Sequence, residues 1–187
     1  MKTRMIIIAA PSGAGKSSFV SRITKDFPRL FDTTTYTTRA IRAGEKEGLP
    51  YHFVTIEKFE QLQKDGFFVE WARVHGNLYG TPRHQIEEAW AQNQVVIMDV
   101  DVQGAETFKR EFPDATTIFI VPPSVAELRR RVIKRDGKVP DDLEVRMFNA
   151  QKEMERAAEF DYRVVNDDFE NSYREFKKII EDLLSGT

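Results

Sequence analysis

The stretch Ala10-Pro-Ser-Gly-Ala-Gly-Lys-Ser17 constrains this chain more than any other, because it follows directly on the apolar run Met5-Ile-Ile-Ile-Ala9. An uninterrupted run of that length suits a strand buried on both faces. Behind the glycines, Phe19, Val20, Ile23 and Phe27 recur at helical spacing. A glycine-rich loop between a buried strand and a helix is a device for holding phosphate. Its backbone N–H groups curl around the anion, the helix N-terminus adds its positive end, and Lys16 reaches the outer phosphates. Ser17 offers its hydroxyl to Mg2+. On this reading Pro11, Ser12, Gly13, Ala14, Gly15, Lys16, Ser17 and Ser18 form the cradle for ATP phosphates. The usual pattern opens with glycine where this chain has Ala10, and the extra Cβ is harmless unless that residue needs a positive φ. An ordinary turn with Lys16 in water is the plain alternative, and it leaves Gly-x-Gly-Lys-Ser behind a buried strand unexplained.

The remaining residues must fit around that loop. A length of 187 residues allows one domain with inserted subdomains and a substantial core. The net charge of −2 predicts no broad electrostatic footprint for nucleic acid. Without cysteine there are no disulfides or thiolate metal sites, which fits a reducing compartment. Lys2 and Arg4 ahead of an apolar run imitate a secretion signal, but about six apolar residues fall short of a signal core. No segment approaches the ~20 apolar residues of a membrane span. The expectation is a soluble cytoplasmic protein.

Along the chain, the first helix is expected from Gly15 to Asp26, before Pro28. Residues 32–42 read as a hydroxyl-rich strand, 51–55 as a second strand, 67–71 as a third and 75–80 as a turn. A short helix capped by Thr55 carries Phe59 and Leu62. Together residues 33–82 form a β-rich insert. Thr81 as N-cap and Pro82 at the first helical position open the next helix. Strands at 95–101 and 116–121, separated by a helix from Gln103 to about Phe112, predict a parallel sheet with right-handed crossovers. Ser124 with Glu127, and Asp141 with Glu144, are spaced as capping boxes ahead of two helices. Leu143, Met147, Ala150, Met154 and Ala157 form one seam of the second, and residues 135–140 form the tip between them. A last strand at 162–166 and a helix presenting Tyr173, Phe176, Ile180 and Leu183 close the chain. The fold class is α/β: a parallel sheet flanked by helices, with the insert and a helical hairpin attached.

Three sets of residues bear on the chemistry. Asp99 ends a core strand, where a carboxylate can orient the water shell of Mg2+, although a solvated strand-end acid looks the same in sequence. Asp101, two residues on, faces the same side but suits contact with a second substrate. Arg131 and Arg135 share a helix face, and Arg146 lies on the next helix. Taken alone such arginines are a solvated face; with a phosphate loop they describe a lid over the transferring group. Arg39, Arg42, Tyr51 and Tyr79 can converge on a second phosphate. Glu70 sits among large apolar neighbours in Phe67-Phe-Val-Glu-Trp71, where an unpaired carboxylate is costly. A guanine edge offers N1–H and the N2 amino group as two donors, whereas adenine presents an acceptor at N1. The plain alternative for Glu70 is a salt bridge to Arg73 or Arg39.

The motifs Pro11-Ser-Gly-Ala-Gly-Lys-Ser17, Thr37-Thr-Arg39, Arg42-Ala-Gly-Glu45, Phe68-Val-Glu-Trp-Ala72, Gly76-Asn with Tyr79-Gly80, Asp99-Val-Asp-Val-Gln-Gly104, Pro122-Pro-Ser124 and Val165-Asn-Asp167 resemble the guanylate kinase family. The resemblance runs nearly end to end and in order. It implies a core at residues 1–32, 83–123 and 162–187, a GMP-binding insert at 33–82 and a lid at 124–161. The reaction implied is Mg2+-dependent transfer of the ATP γ-phosphoryl to GMP or dGMP. Arg39, Arg42, Tyr51 and Tyr79 are implied to hold the GMP phosphate, and Glu70, Thr81 and Asp101 to read guanine. Arg131, Arg135 and Arg146 are implied to act on the transferring group with Lys16, and Asn166 to lie near the donor nucleotide. Thr35 stands where the family generally has a serine touching guanine, so the hydroxyl is kept and a methyl added. A non-catalytic binding module of the same shape, or a kinase for another phosphorylated acceptor, are the competing readings. The intact loop and lid arginines speak against the first.

Overall fold

The structure is a computed structural model and describes residues 4–42, 44–74 and 76–186. Lys2, Ala43 and His75, which entered the sequence reading, lie outside the described residues. The central sheet is built from β1 (Met5–Ala9), β2 (Leu30–Asp32), β7 (Val95–Val100), β8 (Thr116–Val121) and β9 (Tyr162–Val165), in the order β2-β7-β1-β8-β9. Every pairing in it is parallel. β1 is buried along its whole length. Its alternate residues serve two cores. Ile6 and Ile8 pack with Phe19, Val20 and Ile23 of α1 (Lys16–Asp26) and with Phe176 and Ile180 of α7 (Phe169–Ser185). Met5, Ile7 and Ala9 pack with Ile86 of α3 (Arg83–Ala91) and Phe108 of α4 (Val102–Glu111). A strand covered by helices on both sides cannot show polar alternation, which is why it reads as a plain apolar run.

Strand order reverses around β1: the chain runs to β2 and β7 on one side, then to β8 and β9 on the other. In open sheets of this kind a crevice opens at that switch, outside the carboxyl ends of the strands. The loop after β1 and the acids Asp99 and Asp101 at the carboxyl end of β7 both face it.

A second sheet, ordered β4-β3-β6-β5, joins β3 (Tyr36–Thr37), β4 (His52–Phe53), β5 (Phe68–Val74) and β6 (Asn77–Pro82). With α2 (Ile56–Lys64) it encloses its own small core of Phe59, Phe68 and Leu78. Thr55 caps α2, its hydroxyl accepting from the Lys58 N–H at 3.2 Å. Helices α5 (Val125–Asp136) and α6 (Leu143–Glu155) form a hairpin, with Leu143, Met147 and Ala150 buried on one face. No helix among the described residues is long and apolar enough to cross a membrane.

The structure corrects several expected boundaries. The turn expected at 75–80 is a strand from Asn77 onward. Thr81 is not an N-cap but part of β6; the cap falls on Pro82, whose ring has no polar group to offer. Strand pairing of Thr81 with Glu70 outweighs the local helix-start signal. The strand-like stretch 32–42 shrinks to Tyr36–Thr37, while Leu30–Asp32 joins the central sheet as a strand the sequence reading did not assign. Asp142, not Asp141, caps α6, and no side-chain cap bond forms. Ser124 does cap α5, but Glu127 turns to arginines instead of completing the box.

Candidate active site

A cleft of about 500 Å3 lies between the central sheet, the small sheet and the helical hairpin. Its floor is the loop after β1. The Ala14 N–H donates to the Pro11 carbonyl at 3.0 Å, closing a tight turn. Gly13 and Gly15 take φ of +92° and +97°, conformations that suit glycine. Ala10 is not among the positive-φ residues, so its Cβ carries no backbone penalty. Gly15 caps α1 without a side-chain bond, which leaves the first N–H groups of the helix to face the cleft. Ser12, Gly13, Lys16, Ser17 and Ser18 line the cleft with it. Lys16 Nζ donates back to the Ala10 carbonyl at 2.8 Å. Ser17 Oγ donates to Asp99 Oδ2 at 2.7 Å, because the β1–β7 register sets Ile8 beside Asp99.

Three expected donor-side contacts, Pro11, Ala14 and Asn166, lie behind this surface. Ala14 is fully buried. Asn166 is 5% exposed, and its Nδ2 donates to the Ala14 carbonyl at 2.8 Å.

The wall opposite comes from the small sheet. Arg39 forms two bonds with Glu45, at 2.9 and 3.1 Å, and lies 5.3 Å from the Tyr51 ring centre. Glu45 also accepts from the Arg42 N–H at 2.8 Å. Burial works against its charge, yet the Arg39 and Arg42 bonds hold the Glu45 carboxyl below the ordinary range. Tyr51 and Tyr79 meet edge to face, 5.8 Å between ring centres. Arg39, Arg42, Tyr51 and Tyr79 therefore line one end of the cleft. Burial, then the nearby Asp99 charge, push the Tyr51 phenol up, so it stays a neutral donor.

At the other end of this wall sits Glu70. A bulge between Phe68 and Glu70 sets Glu70 directly across from Thr81; bulges re-aim side chains in this way. Glu70 is 7% exposed and has no hydrogen bond or ion pair to another described residue. Neither alternative salt bridge forms: Arg39 is held by Glu45, and Arg73 donates to the Gly76 carbonyl. Thr81 Oγ1 is likewise buried without a partner. A Cβ on Gly104 would lie 3.5 Å from Glu70 Oε2 and 3.2 Å from Asp101 Oδ1, so both acids crowd one glycine. Asp101 itself caps α4, accepting from the Gly104 N–H at 2.7 Å. Burial and the Asp101 charge push the Glu70 carboxyl up to about 8. Thr35 lines the same cleft. A buried acid and a buried hydroxyl, both unpartnered, are costly unless a ligand with donors completes them.

The hairpin covers the third side. Arg135 and Arg146 line the cleft, both bonded to Asp136, at 2.8 and 3.4 Å, and Arg146 also to Asp142 at 2.9 Å. Arg131 faces elsewhere: it donates to Glu127 at 2.8 Å and to the Asn166 carbonyl at 3.0 Å. Three acids escaped the sequence reading. Glu45 and Asp136 hold the Arg39 and Arg135 guanidinium groups from six and one residues away, a spacing visible in the sequence. Glu153 follows Arg146 by seven residues, hence on the same helix face, and lines the cleft. Burial pushes its carboxyl up to about 7, with Lys16 opposing and Asp101 adding to the shift. Asp32 is the fourth acid in the neighbourhood. Partial loss of water and the nearby Asp99 push it up to about 7 although its side chain keeps open surface.

A family model described as guanylate kinase matches residues 2–183. A guanylate kinase of Bdellovibrio bacteriovorus is 64% identical over 185 residues, spanning 99% of this chain and all of that protein. One from Syntrophotalea carbinolica is 44% identical, across 94% of this chain and 84% of its own length. Among solved structures, guanylate kinase from Anaplasma phagocytophilum superposes with a TM-score of 0.79 at 30% identity, covering 97% of this chain and 85% of that one.

Proposed function

The chain belongs to the guanylate kinase family and phosphorylates GMP from ATP, and from that premise we propose how its residues divide the work. The loop of residues 11–18 holds the ATP phosphates, with Lys16 leaving the Ala10 carbonyl to meet them. Hard oxygen donors at Ser17 and Asp99 suit Mg2+, which prefers one or two protein oxygens alongside phosphates and water. When bound there, the ion neutralises charge on the donor phosphates. Arg39 and Arg42, with the Tyr51 and Tyr79 hydroxyls, hold the GMP phosphate. Glu70 accepts from guanine N1–H and the N2 amino group, with Thr35, Thr81 and Asp101 around the same edge. dGMP fits the same contacts, since none of them reaches for the ribose 2′-hydroxyl.

The acceptor oxygen is already ionised near neutral pH, so no general base is required. Two polyanions must approach in line, and the barrier is their repulsion. Lys16, Arg135 and Arg146 offset it, and positioning supplies most of the remainder. Arg131 supports them from the hairpin, held by Glu127 and bonded to the Asn166 carbonyl. Residues 124–161 act as the lid that excludes water, 33–82 as the GMP-binding insert, and 1–32, 83–123 and 162–187 as the core. A cytoplasmic location fits these substrates.

The unpartnered pair Glu70 and Thr81 carries the base assignment, because a two-donor edge completes it and an adenine edge does not. The test is ADP release with ATP, Mg2+ and either GMP or AMP. GMP-dependent release that Glu70→Gln weakens supports the assignment. Preference for AMP overturns it.

A further inference from the structure

Three elements meet on Asn166, just past the end of β9. Its backbone N–H donates to the Val121 carbonyl at 2.8 Å, which continues the β8–β9 ladder by one step. Its side-chain Nδ2 donates to the Ala14 carbonyl at 2.8 Å. Its own carbonyl accepts from Arg131 Nη2 at 3.0 Å. Arg131 is held on its other edge by Glu127, Nε to Oε1 at 2.8 Å, one helical turn earlier.

The direction of the Ala14 carbonyl matters for anion binding. The carbonyl and the following Gly15 N–H belong to one planar peptide and point in opposite senses. With the carbonyl drawn into the protein by Asn166, the Gly15 N–H is turned outward, and Gly15 lines the cleft. Gly15, at φ +97°, gives this peptide freedom to rotate, so an external tether is needed to fix it. A rotated peptide would present a carbonyl oxygen to the phosphates. The fit around the tether is close: a Cβ on Gly15 would lie 2.9 Å from Asn166 Nδ2. Ala14 is fully buried, so its carbonyl takes the Asn166 amide in place of bulk water.

We propose that Asn166 is a positioning residue that sets the anion-binding orientation of the loop, and that Glu127 and Arg131 tie the hairpin to it. The donor-side effect of Asn166 thus requires no contact with the nucleotide. This rests on the reading of the loop as the ATP cradle.

The test uses the full chain, measuring ADP affinity by calorimetry and the KM values for ATP and GMP. Asn166→Ala should weaken ADP binding and raise the ATP KM about tenfold, leaving the GMP KM within about twofold. Asn166→Asp, closer in shape, should be worse than Asn166→Ala, because a carboxylate opposes the Ala14 carbonyl. A merely space-filling role ranks them the other way. Glu127→Gln, at a half-buried position on α5, should raise the ATP KM about threefold, and it should add little in the Asn166→Ala background. If the Asn166 variants do not fold, Glu127→Gln decides alone. An unchanged ATP KM in that variant, equal losses for ATP and GMP, or Asn166→Asp outperforming Asn166→Ala would each overturn the proposal. Wild-type protein that binds ADP but does not turn over GMP overturns the acceptor reading instead, and the ADP affinities still judge Asn166.

Discussion

The two halves of the cleft are built on opposite principles. On the donor side three functional side chains already have partners: Lys16 rests on the Ala10 carbonyl, Ser17 on Asp99, and Asn166 on Ala14. On the acceptor side the phosphate end is buttressed by Glu45, but the base end is left incomplete, with Glu70 and Thr81 buried and without a side-chain partner among the described residues. A self-satisfied loop keeps its shape when empty and exchanges weak internal bonds for charged ones when phosphate arrives. An incomplete pocket instead stores a desolvation cost that only a ligand with matching donors relieves. Shape thus serves the part common to all nucleotides, and discrimination falls to the part left unfinished.

This contrast can be broken most severely at Lys16. Lys16→Ala should lower kcat about a thousandfold or more, since it removes charge needed where the phosphates meet. Near-wild-type turnover would show that the loop is mere scaffold. Glu70→Gln should act on the other half alone. A fall of about a hundredfold in kcat/KM for GMP, with the ATP KM within about twofold, is expected from losing a charged acceptor and gaining a misplaced donor. Glu45→Ala sharpens the distinction within the acceptor half. Arg39 loses its forked partner, and the GMP KM should rise about tenfold with kcat less affected.

Acidity separates the halves as well. Glu70 titrates near 8 when the pocket is empty, yet a guanine edge requires its ionised form. Below that value GMP must bind at the expense of a proton, so its KM should fall about fivefold between pH 7 and pH 8 on Glu70's account. Glu70→Gln should flatten that part of the profile. The smallest effect is on stability. An acid whose folded value is raised destabilises the native state at high pH, and the penalty fades as pH falls towards 5. Glu70→Gln should therefore raise the melting temperature by about 2–4 °C at pH 8, and by less at pH 5, while impairing function.

How legible each half is in sequence follows from the same difference. The loop is contiguous, and its strand and helix carry their own periodic signals, so Met5–Ala9 and Lys16–Asp26 appear where the residues predict them. The guanine end is assembled across β5 and β6 by a bulge, and no local signal announces a bulge between Phe68 and Glu70. Thr81 shows the cost of local reading. Followed by proline and a helical pattern it resembles a cap, but its strand pairing decides its place. Leu30–Asp32 is too short to show periodicity, and its place beside β7 depends on residues 65 positions away. Glu153 lies in the cleft only because α6 folds back over Lys16, a tertiary fact that heptad spacing from Arg146 could hint at but not establish.

Calorimetric titration with GMP and with IMP, which lacks only the N2 amino group, tests the reading of Glu70 most directly. IMP should bind at least about tenfold more weakly, and Glu70→Gln should narrow the gap. Equal affinity of the wild-type protein for the two nucleotides would contradict it.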